Sequence, residues 1–182
     1  MHKYYKIYYF IDNFNITEIK KINKDIGLIY RNYNEPYNYE LIKKMRDFCI
    51  VEKRMFFISN NIKIAKKLGL NGVYIPSFNN LKNLKNLSVR KNFKIIGSAH
   101  NKIELKNKEN QGCKEVFIAP IFKTKKKNFY LDVVKFNLLI INTNTKIIAL
   151  GGINKSNFFK LKSTKCFGFA SISWIKKTGL IN

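Results

Sequence analysis

Residues 56–76 read FFISNNIKIAKKLGLNGVYIP, and the order of residue types in them decides the architecture. Met55–Ile58 and Gly72–Ile75 are short apolar runs without polar alternation. A strand of that kind is buried on both faces, which requires a parallel sheet covered by helices. Between the two runs, Asn61–Leu68 carries a helical pattern. Strand, helix and strand within about twenty residues make one compact βα repeat.

The same rhythm extends in both directions. Upstream, Lys6–Ile11 (KIYYFI) is β-rich, and Ile26–Arg31 (IGLIYR) follows a short Lys-rich connection. A helix is expected over Glu40–Val51, with Leu41, Met45, Phe48 and Cys49 on one face. Downstream, strands are expected at Phe93–Gly97, Glu115–Ala119, Lys146–Leu150 and Gly168–Ser171. Helical segments fall at Asn101–Gln111, Val134–Ile141 and Lys155–Leu161, with a short helix opening at Trp174. The polar stretch Asn79–Asn92 reads as a loop or short helix. Eight buried strands with helical spacers predict a closed (β/α)8 TIM barrel of the α/β class. An open doubly wound sheet is the alternative, weakened because no G-x-G-x-x-G follows the first strand. At 182 residues the chain is short for a barrel, which typically takes roughly 200 to 250. Short loops and trimmed helices are therefore expected, within one domain spanning 1–182.

Composition narrows the function classes. The 46% hydrophobic content suits a globular chain. No apolar run is long enough to cross a membrane, and the N-terminus lacks the cleavage site of a signal peptide, so the cytoplasm is the default location. Cys49, Cys113 and Cys166 are widely spaced, odd in number and set in apolar surroundings, which indicates buried thiols rather than a disulfide framework or zinc site. The net charge is +24. It favours anionic ligands, yet Lys, Asn and Ile saturate even segments without motifs, as an AT-rich coding bias would produce. A nucleic-acid partner is not expected.

In a barrel, chemistry gathers where the strands end. Those positions hold Asp12, Arg31, Ser59–Asn60, Ser77 and Asn79, Ser98 and His100, Pro120–Lys127, Gly151–Gly152 and Ser171–Ser173. The set is polar, small and basic, which suits a phosphate. Gly151-Gly152 after a buried strand lets backbone N–H groups approach an anion, although a tight turn alone would also explain it. Ser171-Ile172-Ser173 opens a short helix, whose N-terminus adds partial positive charge. Loops after the seventh and eighth strands are a recurrent phosphate site in this architecture. Thr124 with Lys125, Lys126 and Lys127 offers a hydroxyl and ammonium groups for a diphosphate; a solvated loop is the rival reading. His100 follows the fifth strand, where a proton carrier would sit, and a helix-capping or surface histidine is its bland alternative. Asp12 is the one carboxylate in this set, so neither paired-carboxylate chemistry nor an acidic magnesium cage is supported.

In order and spacing, IGLIYR, FFISNNIKIAKKLGLNGVYIP, IIGSAHN, GCKEVFIAPIFKT, LDVVKFNLL, IIALGGI and GFASIS resemble the thiamine phosphate synthase and TenI family of thiamin-biosynthesis barrels. The resemblance runs from about Ile26 to Ser173. It implies a transferase that joins hydroxymethylpyrimidine diphosphate to thiazole phosphate as diphosphate leaves. It also implies small phosphorylated substrates as partners and leaves a homodimer open. By the same resemblance Arg31 matches the arginine of a Gln-x-Arg-Glu-Lys motif. Ser98, Thr124 and Lys127 match the diphosphate side, and Gly152, Ile172 and Ser173 the thiazole-phosphate grip; Lys126 and Gly151 are further candidates for phosphate binding beside them.

The departures are specific. Ile29 and Tyr33 replace the motif's Gln and Lys, and Asn60 and Asn79 stand where the synthases carry magnesium-binding aspartates. A weakened magnesium site is expected, with Lys123 to Lys127 partly replacing the metal's charge. A TenI-type thiazole tautomerase, in which His100 moves the proton without metal, is the alternative. A third reading is a non-catalytic protein binding a phosphorylated ligand or nucleic acid.

Overall fold

The computed structural model describes residues 5–82, 84–87, 89–125 and 128–180. Its strands are β1 (Lys6–Ile11), β2 (Gly27–Tyr30), β3 (Phe56–Ser59), β4 (Gly72–Ile75), β5 (Lys94–Ala99), β6 (Glu115–Ile118), β7 (Lys146–Leu150) and β8 (Gly168–Ala170). All eight pair in parallel in sequence order. β8 closes on β1, with Lys6 opposite Gly168 and Tyr8 opposite Ala170. The expected closed (β/α)8 barrel is therefore the observed one.

The helices are α1 (Ile16–Lys20), α2 (Tyr39–Val51), α3 (Ile62–Lys67), α4 (Lys102–Asn110), α5 (Asp132–Ile140) and α6 (Ser173–Thr178). Asparagine starts four of them. The side-chain oxygens of Asn15, Asn38, Asn61 and Asn101 accept the N–H of Glu18, Leu41, Ile64 and Glu104 at 2.9–3.0 Å. Each satisfies a donor that the first helical turn leaves free.

Several expectations shift. The connection after β1 contains the five-residue α1, too short for its period to be read from sequence. The stretch Lys155–Leu161 forms a 3-10 helix at Phe158–Ser163, while Asn79–Asn92, expected as a loop or short helix, holds the 3-10 turn Leu84–Asn86 among its described residues. The trimming of helices thus falls on two of the spacers. On α2 the buried residues are Ile42, Met45 and Cys49, while Leu41 and Phe48 flank that stripe half-buried. The stripe follows the 3.6-residue period, so the centre of the face is rotated towards Ile42.

Two apolar layers hold the barrel. Outside, strand residues such as Leu28, Val73 and Val116 pack against Ile42, Met45, Leu105 and Phe136 of the helices. Inside, Tyr8, Phe10, Ile29, Phe57, Tyr74, Ile96, Phe117, Ile148 and Ala170 fill the lumen. Five aromatic rings dominate there, meeting edge to face at centroid distances of 5.2–5.8 Å, a favoured geometry for aromatic pairs. At the N-terminal end Tyr8 Oη donates to Glu115 Oε2 at 2.6 Å, and Lys94 Nζ approaches Glu115 Oε1 at 3.2 Å. Burial, reinforced by Glu115, pushes the Tyr8 phenol far above its ordinary pKa, so this floor of the barrel is a paired, inert polar group. All three thiols are buried and none is in a disulfide.

Candidate active site

Inward positions recur every second residue along a barrel strand. Two steps beyond the lumen residues Ile29, Phe57 and Ile96 lie Arg31, Ser59 and Ser98, in the same phase at the C-terminal rim. Arg31 lays its guanidinium 4.6 Å from the centroid of the Phe10 ring, a cation–π contact. It also lines a cleft of about 150 Å³ with Asp12, Asn13, Glu18, Ile172 and Lys176. Ser98 is buried beside Tyr74. Burial raises the Tyr74 phenol above its ordinary pKa, while a hydrogen bond with Ser98 and the charge of Arg31 pull it down. Arg31, Tyr74 and Ser98 thus form one cationic, hydroxyl-rich floor to the rim. Sequence reasoning missed Tyr74, because inside a continuous apolar strand it looks like one more core residue.

Tyr33, where the family pattern has a lysine, hydrogen-bonds Ser59 Oγ at 2.9 Å and meets the Phe78 ring at 5.7 Å. Tyr37 Oη donates to Ser59 O at 2.6 Å. This corner is aromatic and neutral rather than basic.

His100 is exposed on the rim. Its Nδ1 lies 2.6 Å from Ala119 O. A carbonyl can only accept, so Nδ1 carries the proton and Nε2 is left as the basic nitrogen of the neutral ring. Its backbone N–H donates to Glu104 Oε2 at 2.8 Å. The helix cap is Asn101, not His100, so the capping alternative does not hold.

The turns after β7 and β8 lie side by side. Ser171 Oγ donates to Ile153 O at 2.9 Å, and Leu150 pairs with Ala170 in the sheet. Gly151 and Gly152 have φ of +97° and +70°, the region that favours glycine. A Cβ on Gly152 would fall on the carbonyl oxygens of Phe122 and Lys123, and one on Gly151 would meet Pro120 Cα at 2.8 Å. The loop after β6 is laid directly on this turn, with Ile121 N–H donating to Leu150 O and Phe122 N–H to Gly151 O. The tight-turn reading of the glycines thus has a physical basis, and the loop packed on that turn also carries the half-buried Thr124. Ile172 precedes α6 and Ser173 begins it. Lys126 and Lys127 lie outside the described residues.

Asn60 and Asn79 do meet: Asn79 Nδ2 donates to Asn60 Oδ1 at 2.6 Å. Asn79 Oδ1 in turn accepts Leu81 N–H at 2.8 Å. Two neutral amides, with these oxygens already engaged, do not fit a resident magnesium ion, which wants carboxylate oxygens in octahedral array. Among the described residues no three His, Cys, Asp or Glu side chains gather into a metal-binding group.

A closed barrel with its polar and glycine-rich turns on the C-terminal rim defines a (β/α)8 protein. A family model described as "Thiamine monophosphate synthase" matches residues 26–175, and the chain belongs to that family. A thiamine-phosphate synthase of Prochlorococcus marinus is 33% identical over 144 residues, covering 73% of this chain and 40% of the relative. One from Clostridium tetani is 31% identical, covering 90% and 70%. The first three curated relatives are spanned over only 40%, 48% and 38% of their lengths, so the chain spans half or less of those proteins. The solved thiamine phosphate pyrophosphorylase of Pyrococcus furiosus superposes with a TM-score of 0.78 at 19% identity, covering 96% of this chain and 91% of that one, a likeness of fold. No helix among the described residues is long and apolar enough to cross a membrane.

Proposed function

We propose that this chain is a synthase-type transferase that couples hydroxymethylpyrimidine diphosphate to thiazole phosphate. The C–O bond between the pyrimidine methylene and its diphosphate breaks, with both electrons leaving on diphosphate. The thiazole nitrogen then donates its lone pair to the resulting cation, forming the C–N bond of thiamin phosphate. Negative charge grows on the leaving oxygens, so groups already aimed at them lower the barrier most. Arg31 and Ser98 supply a guanidinium and a hydroxyl on the lumen side, and Thr124, Lys126 and Lys127 serve the diphosphate from the loop after β6. The backbone of Gly151 and Gly152, with Ile172 and Ser173, holds the thiazole phosphate. Asn60 and Asn79 order the pyrimidine side through their mutual hydrogen bond, and the lysines from Lys123 onwards balance the diphosphate charge.

The observation that carries this reading is the family match, whose span of 26–175 contains every residue named in it. Incubating the purified chain with both substrates, with and without magnesium, and assaying thiamin phosphate tests it. Product formation that falls at least tenfold in Arg31→Ala and Ser98→Ala is expected; no product under either condition rejects it.

One observation favours a second reading, the thiazole tautomerase. The bond from His100 Nδ1 to Ala119 O leaves Nε2 poised to take and return a proton. Under that reading His100→Ala abolishes isomerisation of the thiazole carboxylate phosphate. Under the synthase reading the same variant only weakens coupling.

A further inference from the structure

Lys108 is completely buried, although it lies on the most polar helix of the barrel. Gly97 of β5 makes this placement workable: a Cβ there would lie 3.0 Å from Lys108 Cδ and 3.3 Å from Cγ. The bare backbone gives the lysine stem a track across the strand. Helix side chains lean towards the N-terminal end of their helix, which in a barrel is the C-terminal rim of the strands. The ammonium ends at Asn79, donating to its carbonyl oxygen at 2.7 Å and to Gln111 Oε1 at 2.9 Å. Gln111 Nε2 donates to the carbonyl oxygens of Asn79 and Leu81, both at 2.9 Å.

Asn79 is thereby held at every polar atom. Its N–H donates to Pro76 O, its carbonyl takes Lys108 and Gln111, its Oδ1 takes Leu81 N–H, and its Nδ2 reaches Asn60. The segment replaces a regular helix between β4 and β5, so its carbonyls lack helical partners and must find others. The partner found is a cation with no carboxylate among its hydrogen-bond partners.

We propose that the rim between β3 and β4 is organised by the Lys108 ammonium in place of a divalent cation: Lys108 and Gln111 position Asn79, Asn79 closes a neutral amide latch on Asn60, and the rim takes up no divalent ion. The inference concerns this rim in the absence of substrate and stands apart from which phosphorylated ligand binds. A positive charge fixed beneath the latch opposes a second cation, and two amides contribute no negative charge to attract one.

Manganese(II) is the probe, followed by the loss of the free-ion electron paramagnetic resonance signal on adding the purified chain. The wild type is expected to leave the signal at its protein-free amplitude at millimolar manganese. Asn60→Asp/Asn79→Asp should take up the ion, and adding Lys108→Met to that pair should tighten uptake about tenfold by removing a like charge. Adding Lys108→Arg, which keeps the charge, should not. Circular dichroism checks that each variant folds, and the comparison of wild type with the double aspartate variant decides the proposal even if Lys108→Met does not fold. Wild-type uptake as tight as that of the double variant, abolished by Asn60→Ala/Asn79→Ala, would overturn it. So would a Lys108→Met variant that folds and leaves the affinity of the aspartate pair unchanged.

Discussion

The two sides of the rim are held together by different physics. Around β6, β7 and β8 the backbone does the work: two glycines with positive φ, a loop laid on them, and one hydroxyl bond from Ser171. Around β3, β4 and β5 the side chains do it: Asn60, Asn79, Gln111 and Lys108 form a chain of hydrogen bonds drawn from three separate segments. The first kind keeps its form through glycine conformation and backbone hydrogen bonds. The second directs most of its polarity inwards, fixing a loop that has no helix to fix it. Shape is therefore set mainly by backbone groups on one side and by side chains on the other, and both sides join residues far apart in the chain.

The largest test of this contrast is Gly152→Ala. The new methyl must displace the carbonyl oxygens of Phe122 and Lys123 and hold a left-handed backbone, a combined cost of about 4 kcal/mol, read as the fall in the urea midpoint. A loss below about 1 kcal/mol would mean that the loop after β6 yields, and the backbone-built description would fail.

Gln111→Leu probes the other side. It removes the Gln111 bonds to Leu81 O, to Asn79 O and to the buried Lys108 ammonium, at a cost of about 2 kcal/mol. Denaturant melts measure it, and a neutral result would separate the network from stability. Ser171→Ala should cost about 1 kcal/mol, the ordinary worth of one hydrogen bond. Its sharper readout is phosphate affinity, which should drop if the two glycine-side turns act together.

The smallest effect concerns Cys113, whose Sγ would lie 2.8 Å from a Cβ on Gly97, under the Lys108 stem. Burial pushes this thiol up to about 12, with Lys108 opposing, and burial likewise lifts Cys49 to about 12. A thiol whose pKa is raised on folding stabilises the fold fully below its unfolded value near 9, and that contribution is lost as pH climbs towards 12. Native protein at pH 8 should therefore react negligibly with a disulfide reagent at either position, and stability should decline above pH 9. Rapid labelling at pH 8 would show that the helix side opens readily.

How much of this was legible in the sequence follows the same division. The strand runs from Lys6–Ile11 to Gly168–Ser171 were readable because burial on both faces leaves an unbroken apolar signature. The Gly151-Gly152 and Ser171–Ser173 turns were readable because turn chemistry is carried by the residues of the turn itself. Asn60 and Asn79 were readable as strand-end residues and as departures from a family pattern, but their mutual bond was not. Lys108 and Gln111 were hidden in what read as a polar helix. The short α1 and the 3-10 helix at Phe158–Ser163 were missed or mistyped, since fewer than two turns carry too little periodicity to classify.

The sequence by itself determined eight buried strands, their order and the residues that end them, because each of those properties is a matter of composition within a few neighbouring positions. Tertiary structure alone decided that a lysine from α4 lies along a glycine of β5 and reaches a loop after β4. It also decided that Nδ1 of His100 is held by Ala119 O. Such contacts join residues 11 to 29 positions apart, and only the pairing of neighbouring βα units brings them together.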